Sequence, residues 1–263
     1  VAVTVDLNRI GFQTTVAALY DEDRILNVEN VTGGSADDRL TGNALANKLY
    51  GGAGNDVLSG GLGDDWLHGS SGNDSLSGGG GLDTASYAGA ASGVTVNLAV
   101  KSAAQNTGGA GSDWLLYIEN LAGSSYSDKL SGDSGANDLN GGAGSDVLTG
   151  AGGRDLLTGG SGSDRFDFNA LTESGITSTT RDIIADFTRG QDKIDLSTLD
   201  ANAATTANEA FTTLIASTAT FTAAGQLRLS SGVLYANVDT DSTAEFAVQL
   251  TGITALALTD FVL

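Results

Sequence analysis

The stretch GGAGNDVLS at residues 51–59, followed directly by GGLGDDWLH at residues 60–68, decides the fold of this chain. Both nonapeptides read G-G-x-G-x-D-x-U-x, where U is a large apolar residue, and GGAGSDVLT at residues 141–149 repeats the pattern. Close variants fill residues 33–86 and 123–167, which gives eleven units in two blocks. A nine-residue period of this composition predicts an all-β fold, a right-handed parallel β-roll.

Each place in the nonapeptide has a physical task. Glycines at places one, two and four are expected to adopt positive φ, so that a short loop turns its carbonyl oxygens inward. The acid at place six adds carboxylate oxygens, and calcium takes about 6–8 oxygen ligands, more than one loop supplies. Places seven to nine form a short strand with place eight facing the interior. The predicted interior ladder is Leu40, Leu49, Leu58, Leu67 and Leu76.

Two nonapeptides complete one turn, so each loop should stack on the loop 18 residues later, at a strand spacing of about 4.8 Å. The predicted place-six metal ligands are Asp38, Asn47, Asp56, Asp65, Asp74, Asp83, Asp128, Asn137, Asp146, Asp155 and Asp164. The predicted loop glycines of the metal sites are Gly51, Gly54, Gly60, Gly63, Gly69, Gly72, Gly141, Gly144, Gly159 and Gly162.

Pairing at the 18-residue spacing predicts seven candidate calcium sites. They are Asp38/Asp56, Asp56/Asp74, Asn47/Asp65, Asp65/Asp83, Asp128/Asp146, Asp146/Asp164 and Asn137/Asp155. Because Asn47 and Asn137 each remove one negative charge, their two sites are predicted to be the weakest.

The repeats resemble those of the repeat-in-toxin family of secreted bacterial proteins, also called hemolysin-type calcium-binding repeats. Ala36, the segment 43–45 and Ala85 depart from the pattern, which predicts capping turns or weak sites there. DIIADF at 182–187 and GQDKIDL at 190–196 resemble the opening of the serralysin-type C-terminal domain. Residues 250–263 are similar to the terminal secretion signal of that group. The resemblance implies export by a type I secretion machinery, followed by folding on external calcium.

An internal duplication at an offset of 90 residues organises the chain, since VEN at 28–30 matches IEN at 118–120. It predicts a β-rich leader and first roll in residues 1–90, and a second leader and roll in residues 91–167. Residues 168–263 are predicted to form a C-terminal capping and secretion-signal domain. Alternating patterns there predict strands at 226–229 and 233–235. The segment 202–216 is the only candidate for an amphipathic helix.

The composition favours folding on a metal outside the cell. Thirty-two acids against 12 Lys and Arg give a net charge of −20, so the chain repels itself until cations neutralise it. With no cysteine, calcium takes the place of disulfides as a staple. The charge argues against a nucleic-acid partner, and no apolar run reaches the roughly 20 residues of a membrane span. No signal peptide is recognisable at the start of the sequence, which does not begin with methionine, and we expect the chain to be a fragment or a processed product.

No catalytic site is predicted. One histidine, no cysteine and no G-x-S-x-G exclude the H-E-x-x-H zinc motif, thiol nucleophiles and the serine nucleophile elbow. His68 is expected to be solvated, and Trp66 and Trp114 are expected to be structural rather than sugar-binding. Residues 239–245 carry three acids and are expected to form a polar turn rather than a calcium site.

The predicted function is that of a noncatalytic calcium-binding β-roll region of a secreted, extracellular protein. One alternative is the C-terminal tail of a secreted protease, lipase or alginate epimerase whose catalytic domain lies upstream. Another is a cell-surface adhesin, surface-layer or matrix filament protein. The predicted partners are calcium and the type I machinery, while self-association and contact with the cell surface stay open.

Overall fold

The computed structural model describes residues 1–9, 13–16, 21–23 and 26–263. Its regular structure consists of short β-strands and tight turns, with one 3₁₀ turn at Leu258–Asp260. The chain divides into two compact units, Val1–Asp128 and Lys129–Leu263.

The strands of the first unit are mostly three or six residues long. They are β1 Thr4–Asp6, β2 Gln13–Val16, β3 Asp21–Asp23, β4 Asn30–Thr32, β5 Arg39–Thr41, β6 Lys48–Ala53, β7 Val57–Leu62, β8 Trp66–Ser71, β9 Ser75–Gly80, β10 Thr84–Ser86, β11 Thr95–Asn97, β12 Gln105–Gly108, β13 Gly111–Leu116 and β14 Asn120–Ala122.

Two parallel sheets form the first roll. Strands β1, β5, β7, β9 and β13 lie side by side in one sheet, and β12 adds an antiparallel edge to it. Strands β4, β6, β8, β10 and β14 lie side by side in the other. Leu40 pairs with Leu58 and Leu49 pairs with Leu67, each 18 residues further on. The predicted stacking of every second nonapeptide is therefore confirmed.

The second unit repeats this arrangement and extends it. Its strands are β15 Lys129–Ser131, β16 Asp138–Ala143, β17 Val147–Thr149, β18 Leu156–Ser161, β19 Arg165–Asp167, β20 Ile183–Ile184, β21 Lys193–Asp195, β22 Thr213–Ile215, β23 Gln226–Ser230, β24 Val233–Asn237, β25 Phe246–Leu250 and β26 Phe261–Val262. One sheet has the order β15, β17, β19, β21, β26, and the other runs β16, β18, β20, β25, β24, β23, β22.

The core is a ladder of place-eight side chains. The predicted members, Leu40 to Leu76, are at most 1 % exposed, as are Leu130, Leu139, Leu148, Leu157 and Phe166 of the second block. Ala85, which replaces a large apolar residue, is also fully buried. Alternation across a three-residue strand explains this, because only its central side chain faces inward.

The C-terminal region continues the stack with non-repeat sequence. Ile184 on β20 pairs with Leu157, and Ile194 on β21 pairs with Phe166, so both occupy places in the ladder. The last strand is built in as well, since Phe261 pairs with Ile194. Asp260, 2 % exposed, forms a 3.2 Å ion pair with Arg189.

Two local expectations are wrong. Residues 202–216 contain no helix; they form turns and the strand β22, which pairs with β23. His68 is buried rather than solvated, because its ring lies 5.6 Å from that of Tyr50 and Gly89 packs against its Nε2 edge. Burial lowers the pKa of His68.

Candidate metal centre

The place-six residues form two carboxylate ladders, one along each edge of the roll. All eleven predicted residues are buried, with at most 4 % exposed. In six of the seven predicted pairs the backbone N–H of one place-six residue donates to Oδ1 of the place-six residue 18 positions later. The donor–acceptor pairs are Asp38 to Asp56, Asn47 to Asp65, Asp56 to Asp74, Asp65 to Asp83 and Asn137 to Asp155, all at 2.8 Å, and Asp146 to Asp164 at 3.0 Å.

The second oxygen of most of these carboxylates is buried and accepts no hydrogen bond. This holds for Oδ2 of Asp56, Asp65, Asp74, Asp83, Asp155 and Asp164. A buried anionic oxygen without a donor is costly, and such atoms are rare in folded proteins. Their regular recurrence indicates that a positively charged group belongs beside them.

The place-one glycine lets that oxygen approach the backbone closely. A Cβ built on Gly60 would overlap Oδ2 of Asp65 and also approach the carbonyl oxygen of Gly78, the place-one glycine 18 residues later. Gly141 has the same two neighbours, Oδ2 of Asp146 and the carbonyl of Gly159. The carboxylate oxygen of one loop and a carbonyl oxygen of the next loop therefore lie close together, and the space between the two loops is lined by oxygen.

This geometry corrects the role predicted for place one. Gly51, Gly60, Gly69, Gly141 and Gly159 do not have positive φ. Glycine is needed there because any side chain would fill the space against the carboxylate, not because of its backbone angles.

Place four does require positive φ, as predicted. The loop glycines Gly54, Gly63, Gly72, Gly144 and Gly162 have φ between 97° and 141°. A Cβ on Gly72 would also strike the carbonyl oxygen of Gly54 in the loop below, so close backbone stacking excludes a side chain as well.

At the start of the two ladders, the side-chain oxygens of Asp38 and Asn47 accept hydrogen bonds from backbone N–H groups. Both oxygens of Asp38 accept N–H groups, from Val3 at 2.7 Å and Gly34 at 2.5 Å. Oδ1 of Asn47 accepts the N–H of Asn43 at 2.7 Å, and its amide donates to the carbonyl of Glu29 at 3.1 Å.

The second block opens in a similar way. Oδ2 of Asp128 accepts the N–H of Ser124 at 2.5 Å, and Oδ1 accepts the N–H of Val94 at 2.7 Å. Oδ1 of Asn137 accepts the N–H of Asp133 at 2.9 Å. One side-chain oxygen of each of these four residues, Asp38, Asn47, Asp128 and Asn137, thus accepts a backbone N–H of its own loop.

One complete repeat was missed by the sequence reasoning. Residues 108–116, GGAGSDWLL, match the nonapeptide fully but lie out of phase with the nine-residue array. Asp74 donates its N–H to Oδ1 of Asp113 at 2.9 Å, so this unit follows in the ladder. Oδ2 of Asp113 accepts the hydroxyl of Thr107 at 3.1 Å.

Non-repeat acids extend the ladders further. The N–H of Asp83 donates to Oε2 of Glu119 at 3.0 Å, and the N–H of Asp155 donates to Oδ1 of Asp182 at 2.8 Å. Asp164 donates to Oδ1 of Asp192 at 3.0 Å. Each of these acids precedes an apolar ladder residue by two positions, and this acid-x-apolar spacing is the sequence signal that they share with the repeats.

Asp182 shares the features of the repeat ligands. Its side chain is fully buried, and its Oδ2 accepts no hydrogen bond. The N–H of Asp182 is held by Oγ of Ser174 at 2.8 Å, and that hydroxyl donates to the carbonyl of Ala247 at 2.6 Å. Asp182 is thus held on two sides, by Asp155 of the roll through its Oδ1 and by Ser174 through its backbone N–H.

Burial makes several of these carboxyls poor acids while no cation is present. Desolvation, together with the charges of Asp113 and Asp56, raises the pKa of Asp74 to about 7. The same effect raises the pKa of Asp155 to about 7 and that of Asp182 to about 8. A nearby cation would reverse this shift by stabilising the ionised form.

The donor set fits calcium better than a softer metal. The groups around each space are carboxylate and carbonyl oxygens, without nitrogen or sulfur, which is the preference of hard cations. The unpartnered Oδ2 atoms and the oxygen-lined spaces beside the glycines meet the need for several oxygens from two loops.

A second group of acids lies in the turn between β24 and β25. Carboxylate oxygens of Asp239, Asp241 and Glu245 lie within 4.8 Å of one another. Two of them hold the turn, since Asp239 accepts the N–H of Asp241 and Glu245 accepts that of Val238. The turn expected from the sequence is confirmed, and the expectation that it does not bind calcium stays a prediction.

The fold defines a β-roll of stacked nonapeptide loops with inward carboxylates. Residues 22–263 match the family described as Peptidase M10 serralysin C terminal, and the chain belongs to this family. Its repeats are of the RTX type, which binds calcium, and serralysin-type C-terminal domains belong to secreted proteins.

Among solved structures, the chain is similar to the solution structure of the AlgE6R3 subunit from the Azotobacter vinelandii mannuronan C5-epimerase. The identity is 30 % and the TM-score 0.40, over 55 % of this chain and 77 % of that one. No curated protein matches the chain. Over the described part of the chain, no helix has the length and apolar character needed to cross a membrane.

Proposed function

We propose that this chain is the noncatalytic calcium-binding β-roll region of a secreted protein, and that it folds on external calcium after export. The observation that carries the proposal is the row of buried Oδ2 atoms without hydrogen-bond donors, each packed so closely against a place-one glycine that a side chain there would overlap it. A calcium ion bound there would supply positive charge and accept oxygen ligands from both loops.

The chain's own groups would act as a folding switch. At low calcium, the repulsion among 32 acids and the burial of unpaired carboxylates both oppose the roll. Where calcium reaches about 10⁻⁴–10⁻³ M, the range of extracellular modules, the free energy of binding becomes free energy of folding.

The ligands we assign are the place-six pairs within each unit, with the later residue of each pair contributing its free Oδ2. In the first unit these are Asp38/Asp56, Asn47/Asp65, Asp56/Asp74 and Asp65/Asp83, and in the second Asn137/Asp155 and Asp146/Asp164. We add the step Asp155/Asp182, because Asp182 has the same free, buried oxygen.

Calorimetric titration of the chelator-treated chain tests this proposal. We expect several calcium ions to bind, with little heat from magnesium at equal concentration, because magnesium keeps its waters and demands a tighter octahedron. Equal binding of the two metals would contradict the assignment.

The family membership favours the context of a secreted enzyme's C-terminal tail over that of a surface filament. We propose export by a type I machinery that reads the C-terminal region. Deleting residues 168–263 should abolish export from a host with the cognate exporter while the first roll still binds calcium. Unimpaired export of the deletion variant would refute this assignment.

A further inference from the structure

One outer sheet face of the first unit carries an unusual set of side chains. Across β4, β6, β8 and β10, Asn30, Lys48, Trp66 and Thr84 stand opposite one another in register. In the adjoining row Tyr50 pairs with His68, and their rings make contact.

A groove with a volume of about 300 Å³ follows the first of these rows. Lys48, Trp66 and Thr84 line it, together with the loop residues Asp64 and Leu82. The buried Asn47 and Asp65 also line it, so the groove adjoins one step of the carboxylate ladder.

The polar groups of the groove are available to a ligand. Within the described parts of the chain, neither the indole N–H of Trp66 nor the ammonium of Lys48 has a protein partner. Trp114 differs, because its Nε1 donates to the carbonyl of Lys101 at 3.0 Å. Trp114 therefore holds a loop, whereas the partly exposed Trp66 faces a cavity.

The internal duplication indicates that the fold does not require these residues. At the offset of 90 residues, Lys48 corresponds to Asp138 and Trp66 to Leu156. Both pairs occupy matching places on strands β6, β8, β16 and β18. Outward-facing places of the strands tolerate many side chains. Trp66 and Lys48 of the first roll are therefore candidates for a binding role rather than for a role in folding.

We propose that this groove binds a neutral pyranose unit of an oligosaccharide. A sugar ring has an apolar C–H face that packs on an aromatic ring, and hydroxyls at its edge that need donors and acceptors. Trp66 offers the aromatic face, so this proposal replaces the structural role that the sequence predicts for it. Lys48 and Asn30 offer donors, and Asp64 and Thr84 offer acceptors.

Charge selects a neutral ligand over an anionic one. The lining of the groove has one cation, Lys48, balanced by the exposed carboxylate of Asp64, so the groove offers no net positive charge to a phosphate or uronate group. An apolar peptide would leave the polar groups of the groove unpaired.

The test uses the whole chain in saturating calcium and calorimetric titration with cellohexaose, maltohexaose and mannohexaose, plus hexagalacturonate as an acidic probe. At least one neutral hexasaccharide should bind. Trp66→Leu, which introduces the residue of the second roll, should weaken binding at least about tenfold. The matched control Trp114→Leu, on the other sheet, should change it less than about twofold.

Circular dichroism in calcium checks that the variants fold. Lys48→Asp, which introduces the residue found at the corresponding position 138 of the second roll, should also weaken binding of the hexasaccharide. If Trp66→Leu does not fold, the affinity of Lys48→Asp becomes the test of the proposal. The proposal is overturned if no neutral hexasaccharide binds, if only hexagalacturonate binds, or if the two tryptophan variants weaken binding equally.

Discussion

The backbone N–H of Asp56 donates a 2.8 Å hydrogen bond to Oδ1 of Asp74, while Oδ2 of Asp74 accepts none. One carboxylate thus has two tasks. Its first oxygen sets the spacing and register of two stacked loops, and its second oxygen remains for a cation. The same division recurs along both edges of the roll, which couples the stacking of loops to the binding of metal.

Asp56 and Asp38 should differ in their effect on calcium binding. Asp56 has a free Oδ2 and takes part in two steps of the ladder, whereas both oxygens of Asp38 accept backbone N–H groups. Asp56→Ala should raise the calcium midpoint of folding by about three- to tenfold, and Asp38→Ala by less than about twofold. Equal shifts in a titration followed by circular dichroism would show that the assigned pairing is wrong.

The requirement for glycine at place one can be tested within one repeat. Gly78→Ala would place a methyl group against Oδ2 of Asp83 and the carbonyl of Tyr117. Gly80→Ala, two residues later, would meet only the flexible end of Leu62 at 3.2 Å. We expect Gly78→Ala to raise the calcium midpoint at least about fivefold, with Gly80→Ala close to wild type. The reverse order would locate the ion elsewhere.

Acid should stabilise the metal-free fold and weaken calcium binding. Burial raises the pKa of Asp74 and Asp155 to about 7 and that of Asp182 to about 8, from an ordinary value of 3.8. The folded, metal-free chain therefore binds more protons than the unfolded chain between these values, and its stability falls as pH rises through that window.

On the folded chain calcium must displace those protons, whereas the same carboxyls of the disordered chain are already ionised above about pH 5.5. In chelator the β signal should therefore grow as pH falls from about 8.5 to about 5.5, and the gain in signal on adding calcium should shrink over the same range. Circular dichroism with and without calcium checks the prediction, and a metal-free signal that does not change with pH would show that these carboxyls do not govern folding.

Variants of Asp182 and Asp239 distinguish calcium binding at the carboxylate ladder from calcium binding at the acidic turn. Asp182 is buried and its Oδ2 accepts no hydrogen bond. Asp239 lies in the turn between β24 and β25, where its Oδ1 accepts the backbone N–H of Asp241. Asp182→Asn should remove one bound calcium from the calorimetric stoichiometry, whereas Asp239→Asn should leave it unchanged. If only Asp239→Asn lowers the stoichiometry, the turn holds the ion and the extension of the ladder is wrong.

The fold and most of the carboxylate ladder could be predicted from the sequence. A strict nine-residue period determines which side chain of each strand faces the core, and it determines which two place-six acids lie in neighbouring loops. Leu58 and Asp56 lie where alternation and the 18-residue turn place them. The off-phase unit around Asp113 escaped this reasoning, since a constant period cannot follow an insertion between repeats. Its motif was nevertheless complete.

Other features depend on tertiary contacts that no local pattern encodes. The burial of His68 follows from Gly89 and Tyr50, which meet it only in the folded unit. The role of glycine at place one was misjudged because composition alone cannot distinguish a need for positive φ from a need for space. Only the position of Oδ2 beside the missing Cβ separates the two.

Circular dichroism of the whole chain, first in chelator and then with added calcium or magnesium, tests the central claim most directly. The buried, unpartnered carboxylates predict a largely disordered chain in chelator that gains β signal cooperatively near millimolar calcium, while magnesium substitutes poorly. A chain already fully folded in chelator at neutral pH, or one that responds equally to magnesium, would contradict the account.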